Sequence, residues 1–281
     1  MSAPLLEVDG LTVTFPTARG PVDVVKGISF TLGRERLGIV GESGSGKSMT
    51  GRSILRLIRK PGKVTARRMT FDGIDLLSRS ERQMRDLRGA RISMVMQDPK
   101  FSLNPVMTVG EQIAEALVTH KKLPRRELKE RVLAMLEAVR INDPSRVAGL
   151  YPHEVSGGMG QRIMIAMMLI PEPDLLIADE PTSALDVSVQ AQVLDIIDDL
   201  VTGEGMGLIL ISHDLNLVSR YCDRILVMNS GEIVEQCKAS DLHNAQHPYT
   251  RGLIAAMPRM NEDRDELPVL DRSTWTTGAG T

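Results

Sequence analysis

The segment Gly41-Glu42-Ser43-Gly44-Ser45-Gly46-Lys47-Ser48 fits the pattern G-x-x-x-x-G-K-[ST]. Glycines at this spacing let successive backbone N–H groups converge on one centre, which makes a cradle for phosphate oxygens. A helix starting at the end of the loop adds the positive pole of its dipole. Lys47 offers a compact charge to β and γ phosphates, and Ser48 a hydroxyl to Mg²⁺. Further along, Leu175-Leu176-Ile177-Ala178-Asp179-Glu180 is an apolar run that closes on two carboxylates. Asp179 suits the Mg²⁺ shell, directly or through water. Glu180 stands next to it, where a carboxylate can orient or deprotonate a water attacking in line with the γ-phosphorus. Many strands end in acids, so this run alone says little. Behind a phosphate loop in the same α/β unit, it points to hydrolysis of ATP with Mg²⁺.

The flanking elements must hold these groups together. Leu37–Val40 reads as a buried strand ending at Gly41, and Ser48–Ile58 as the helix after it, stopped by Pro61-Gly62. Before them, Leu5–Val8, Leu11–Phe15 and Val24–Leu32 read as strands, with turns at Gly10, Arg19-Gly20 and Gly33. Arg91–Met96 is a further strand. Helical character follows, and Leu128, Val132, Met135, Leu136 and Val139 fall on one amphipathic face. Leu175–Ala178 and Leu208–Ile211 are buried strands around a helix over Val187–Val201. Ile225–Met228, the turn Asn229-Ser230-Gly231 and Ile233–Glu235 form a hairpin. Alternating strands and helices predict an α/β fold with a mainly parallel sheet covered on both faces. The helical stretch, about 98–160, reads as an insertion into an ATP-binding domain over 1–257. The polar, acidic tail 258–281 reads as disordered.

Composition narrows the class. The chain has 281 residues, a net charge of −2 and only two cysteines, Cys222 and Cys237. A disulfide framework and a zinc site are excluded, a reducing compartment fits, and a nucleic-acid partner is not expected. The acidic N-terminus lacks the pattern of a signal peptide. The longest apolar run, Ile163–Ile170, is too short to span a bilayer, so any work at a membrane is that of a peripheral subunit. Aromatics are 3% and methionines number 16, which predicts an aliphatic, Met-filled core in preference to a methionine binding surface. The basic run Arg79–Arg91 reads as a solvated face.

The string Val155-Ser156-Gly157-Gly158-Met159-Gly160-Gln161-Arg162, shortly before the Asp179-Glu180 strand, resembles the LSGGQ-like signature of the nucleotide-binding subunits of ABC transporters. The resemblance covers residues 5 to about 257. Ser156 suits a helix cap, and the Gly157 and Gly158 amides a second anion site, which in the family meets the γ-phosphate held by the opposite subunit. Gln97 resembles the Q-loop glutamine that senses Mg²⁺ and couples to the membrane subunits. Ser183-Ala184-Leu185-Asp186 resembles the D-loop, with Asp186 near the bound nucleotide. His213 resembles the switch histidine that hydrogen-bonds the γ-phosphate. Phe15 stands where the family stacks an aromatic on adenine, with a plain core position as the alternative.

What the resemblance implies is a RecA-like P-loop NTPase core with an N-terminal antiparallel β subdomain and an inserted α-helical subdomain. It implies a catalytic set of Lys47, Glu180 and His213. The partners it implies are integral-membrane permease subunits, a second ABC ATPase subunit, identical or different, and indirectly an external solute-binding protein. The location it implies is the cytoplasmic face of the inner membrane. Gln97-Asp98-Pro99, Ser102-Leu103-Asn104-Pro105, Asp179–Gln192 and His247-Pro248-Tyr249-Thr250-Arg251-Gly252-Leu253 are similar to the peptide and nickel importer class. Two features depart from it. Val155 and Gly160 stand where the signature carries Leu and Arg or Gln. No cysteine follows Cys237, so the iron–sulfur centre of some members has no ligands in the tail. A soluble ABC ATPase and a regulatory cassette are the rival readings.

Overall fold

In the computed structural model, residues 3–96, 103–183 and 185–256 are described. The chain opens with a long antiparallel pair, β1 (Leu6–Thr17) and β2 (Gly20–Leu32), joined at Ala18-Arg19. Gly10 does not end a strand, as the sequence pattern suggests. It takes φ +65 and the register slips between Val8 and Leu11, so β1 runs on through a bulge. β3 (Arg36–Val40) then feeds α1 (Lys47–Ile54). This helix is shorter than its apolar periodicity predicts. Arg56 is left-handed at φ +52, so the chain leaves the helix at Leu55, before Pro61 can stop it.

β4 (Lys63–Thr65) and β5 (Arg68–Phe71) pair with β1, and β6 (Ile74–Asp75) pairs with β5. The turn between the last two is Asp72-Gly73, with φ +48 and +74, as a two-residue hairpin of the I′ kind demands. α2 (Glu81–Leu87) begins at a capping box made by Ser80 and Gln83. Here the basic run is more than a solvated face. Arg88 reaches the Leu55 carbonyl at 2.8 Å and also Glu81, and Arg91 joins Asp72 at 2.8 Å and also Asp174.

After β7 (Ile92–Val95) come α3 (Val109–Val118), α4 (Arg125–Ala138), α5 (Pro144–Val147) and α6 (Gly157–Leu169). Alternation then resumes with β8 (Leu175–Asp179), α7 (Val187–Gly203), β9 (Gly207–Ser212), α8 (Leu215–Tyr221), β10 (Arg224–Asn229) and β11 (Glu232–Lys238). A further helix, α9 (Pro248–Ala255), follows. The larger sheet has the order β11-β10-β3-β9-β8-β7, parallel except for the β10–β11 hairpin.

The five parallel strands of this sheet are buried on both faces. Leu37, Ile39, Ile177, Ile209 and Ile211 pack with Leu6, Val13 and Phe71 of the antiparallel sheet and with Ile54 of α1. Their neighbours Val40, Leu176, Ala178, Leu208 and Leu210 pack with Ile113, Leu136, Ile163, Val193 and Val218 of the helices. Each such aliphatic side chain contributes about 1.5–3 kcal/mol when fully buried. Met69, Met84, Met94, Met164, Met206 and Met228 are buried among them, so methionine is core filler here. The architecture is the expected α/β fold: a mainly parallel sheet with an antiparallel β layer, α1 and α2 on one face and the remaining packed helices on the other.

Candidate active site

β3, β9 and β8 are parallel neighbours, so their C-terminal ends open along one edge of the sheet. The Gly41–Ser48 loop leaves β3, Glu180 follows β8 and His213 follows β9. Strand order alone therefore gathers residues far apart in sequence.

The loop is built by close backbone approach. Gly41 has φ +153, and a Cβ there would lie 2.1 Å from the Met228 carbonyl oxygen. Gly46 has φ +99, and a Cβ there would lie 2.7 Å from the Val24 carbonyl oxygen. Neither position tolerates another residue. The Ser45 carbonyl accepts the Gly231 N–H at 3.1 Å, which pins the loop to the β10–β11 turn.

Lys47 is 5% exposed, and its Nζ donates to the Gly41 and Glu42 carbonyls at 2.7 and 2.8 Å. Burial lowers the pKa of its ammonium, while the carboxylates of Glu180, Asp179 and Glu42 pull the other way. Among the described residues its hydrogen bonds go to these two neutral carbonyls, an arrangement that leaves one N–H donor for an anion. Ser48 Oγ donates to Asp179 Oδ1 at 2.7 Å. Burial raises the Asp179 carboxyl above the usual range, against the hydrogen bond from Ser48. A divalent cation here would favour the charged carboxylate.

Ser48 and Asp179 supply two hard oxygens, the donor type of Mg²⁺. Among the described residues no group of three or more His, Cys, Asp or Glu side chains could cage a metal alone. Two protein oxygens fit an ion whose remaining ligands are phosphates and water.

Glu180 has φ +48, left-handed for a residue with a Cβ. Such backbone costs on the order of 1–3 kcal/mol and is held only where its surroundings impose it. Here the Glu180 N–H donates to the Ile211 carbonyl at 2.9 Å, and the Ser183 N–H and hydroxyl donate back to the Glu180 carbonyl at 3.3 and 3.2 Å. The turn brings the Glu180 carboxylate within 3.2 Å of His213 Nδ1. The Glu180 side chain is mostly buried and that of His213 mostly exposed, so the pair spans from the sheet edge to solvent.

Ser156, Asp186 and Phe15 each have a described partner outside this cluster. Ser156 caps α6, its Oγ accepting the Met159 N–H at 3.3 Å. Ser156 and Gly157 are exposed, and among the described residues no hydrogen bond joins Ser156–Gly158 to the loop. Asp186 caps α7, accepting the Val189 N–H at 3.0 Å. Phe15 is half-buried, with its ring packed on Gly62. Gln97, with Asp98, Pro99, Ser102, Ala184 and the tail 258–281, lies outside the described residues.

Three side chains to which the sequence reading assigns no role support the site. Gln161 is 1% exposed and donates to the Pro181 carbonyl, tying α6 to the turn after Glu180. Gln190 donates to the Thr182 and Leu185 carbonyls, each at 3.1 Å, and so shapes the segment between Glu180 and Asp186. Tyr249 of α9 accepts the Glu42 N–H at 3.0 Å. All three sit inside strings noted for their resemblance, the only local signal they carry.

Comparison with known proteins places this arrangement. A family model described as "ABC transporter" matches residues 25–183. The dipeptide transport ATP-binding protein DppD of Bacillus subtilis is 47% identical over 95% of this chain and 81% of its own length. The oligopeptide transport ATP-binding protein OppD of Salmonella typhimurium is 46% identical over 94% of this chain and 79% of its own. Among solved structures, the dimeric post-hydrolysis state of the ATP-binding cassette MJ0796 with ADP and Pi superposes with a TM-score of 0.74. It is 26% identical and covers 83% of this chain and 98% of that one.

Proposed function

The chain belongs to the ABC transporter family of ATP-binding proteins, and from that premise we propose that its ATP hydrolysis drives import of peptides through separate membrane permease subunits. It is an ATPase subunit. The observation that carries the catalytic reading is the meeting of Lys47, the Ser48–Asp179 pair and the Glu180–His213 pair at the ends of three neighbouring strands.

In this reading the Gly41–Ser48 amides receive the phosphates, and Lys47 exchanges its two loop carbonyls for β- and γ-phosphate oxygens. Ser48 and Asp179 would hold Mg²⁺, with Gln97 beside them. When bound, that ion supplies charge neutralisation on the β and γ oxygens. Glu180 orients and deprotonates the attacking water, and His213 donates to the γ-phosphate. Phe15 stacks on the adenine. Ser156 and Gly157 are exposed and, with Gly158, would complete the site of a second cassette, with Asp186 at the shared boundary. Two such cassettes close on ATP and reopen after hydrolysis, which biases a two-state permease.

No helix among the described residues is long and apolar enough to cross a membrane. A place at the cytoplasmic face, bound to permease subunits and served by an external solute-binding protein, suits a motor of this kind. The peptide assignment is supported by the names of the dipeptide and oligopeptide relatives. It is tested by uptake of labelled di- and oligopeptides in cells lacking this chain. Wild-type chain should restore uptake and the Lys47→Ala variant should not. Peptide uptake indifferent to the chain would remove the solute assignment and leave the ATPase standing.

A further inference from the structure

The phosphate loop is held by a residue 207 positions away. The Glu42 N–H donates to the hydroxyl of Tyr249 at 3.0 Å, and Tyr249 is 3% exposed. The same peptide unit presents its carbonyl, that of Gly41, to Lys47 Nζ at 2.7 Å. In a trans peptide the N–H and C=O point to opposite sides. One unit is thus held between a phenol and an ammonium.

The two holds are not equivalent. Lys47 has three N–H donors, two of them on loop carbonyls; those it turns to phosphate, as in the mechanism above, no longer hold the Gly41 peptide. Tyr249 has no such duty. Rotation of this unit would turn about Gly41, which lacks a Cβ and sits at φ +153. With Lys47 moved to phosphate, the Tyr249 hydroxyl would still hold that plane.

Tyr249 is itself positioned by a supporting network. Glu235 of β11 accepts the Gln246 and His247 N–H groups at 2.6 and 3.3 Å. Burial works against its charge, but the Thr250 hydroxyl and those two amides outweigh burial and lower its pKa. His247 Nδ1 accepts the Tyr249 N–H at 3.2 Å, and Pro248 opens α9. The first turn of α9 is therefore fixed to β11, two strands from β3, which feeds the loop.

We propose that Tyr249 is a positioning residue for ATP: its hydroxyl keeps the Gly41–Glu42 peptide in place when Lys47 transfers to the nucleotide. The proposal rests on reading Gly41–Ser48 as the phosphate loop. Tyr249 does not touch the reacting atoms, so its contribution is the same in the ground and transition states and falls on affinity, not on turnover.

Tyr249→Phe keeps the ring and removes the acceptor. The Glu42 N–H it served is part-buried, and the expected result is a rise of about tenfold in Kd and KM for ATP at unchanged kcat, with a small fall in melting temperature. Amide exchange at Glu42 should quicken in the same variant. Unchanged ATP affinity overturns the proposal, as does a fall in kcat with KM unaltered. If Tyr249→Phe folds poorly, the wild-type chain decides: a Glu42 amide that exchanges without protection overturns the proposal. Lys47→Ala, run alongside, separates the two readings. If it abolishes binding while Tyr249→Phe leaves binding intact, Tyr249 loses its role. If it leaves binding intact, the loop reading falls first.

Discussion

Replacing Glu180 by Gln removes a base and almost nothing else. The amide has the shape of the carboxylate, and its oxygen can still accept from His213 Nδ1, now 3.2 Å from Glu180 Oε1. The left-handed turn is held by backbone groups that the substitution leaves alone, the Glu180 N–H to Ile211 and the Ser183 N–H to the Glu180 carbonyl. Stability should therefore fall by no more than about 1 kcal/mol, through the lost attraction between the carboxylate and the buried Lys47 ammonium. ATP affinity should persist, because Lys47 and Ser48 are untouched. Turnover should fall on the order of 10²–10⁴-fold, the usual worth of a general base. At about 1.36 kcal/mol per decade, that is a barrier raised by about 3–5 kcal/mol. Phosphate release in the steady state, with nucleotide binding and thermal melting measured on the same preparation, reads all three quantities. Turnover within tenfold of wild type would refute the role of Glu180. Loss of ATP binding would show instead that the carboxylate helps to hold the loop.

Two further outcomes test the reasoning away from the reacting groups. Gly160 lies inside α6, and among the described residues a Cβ there would meet nothing closer than Leu103 Cδ1 at 3.8 Å. Gly160→Ala should therefore raise the unfolding free energy by about 0.5–1 kcal/mol through helix propensity alone, read from the denaturant midpoint; a loss of stability would show that the helix needs a bare backbone at this turn. Tyr221 donates to Asp195 at 2.7 Å, and burial and that bond push its phenol up to about 12 from 10.0. Tyr221→Phe should cost about 1 kcal/mol at neutral pH. A raised folded pKa is worth its full stability below the unfolded value and loses it above. The wild-type advantage should thus hold below pH 10 and shrink as the pH rises toward 12. Equal pH profiles for the two chains would sink that assignment.

The parts of this molecule that could be read from sequence are those written in consecutive residues. The strand–loop–helix around Gly41–Ser48, the apolar run into Asp179 and Glu180, and the histidine after β9 are each local, and parallel strand order gathers them. The signature string and its capping serine are local too. Other features depend on residues distant in sequence or on single dihedrals. Gly10 looks like a turn and is a bulge, because β2 and β5 hold β1 from both sides. α1 ends where Arg56 turns left-handed, although Leu57 and Ile58 continue the apolar periodicity. The Asp72-Gly73 hairpin carried a readable turn signal, but its strands are too short to show alternation. Gln161, Gln190 and Tyr249 act on backbone carbonyls or amides elsewhere in the chain, and no spacing rule reports a partner of that kind.

The Val24 carbonyl has a consequence for how this protein can change over time. That one oxygen lies 2.7 Å from where a side chain would begin at Gly46 and 2.8 Å from where one would begin at Gly231. Three stretches of chain meet at a backbone atom, and a backbone atom cannot be trimmed by substitution. A crowded side chain can be shortened to admit a larger neighbour, but no replacement at position 24 opens this gap. The two glycines therefore have no compensating partner. A lineage that lost either one could regain the fold only by reverting or by rerouting β2, which would shift the whole antiparallel sheet against the loop.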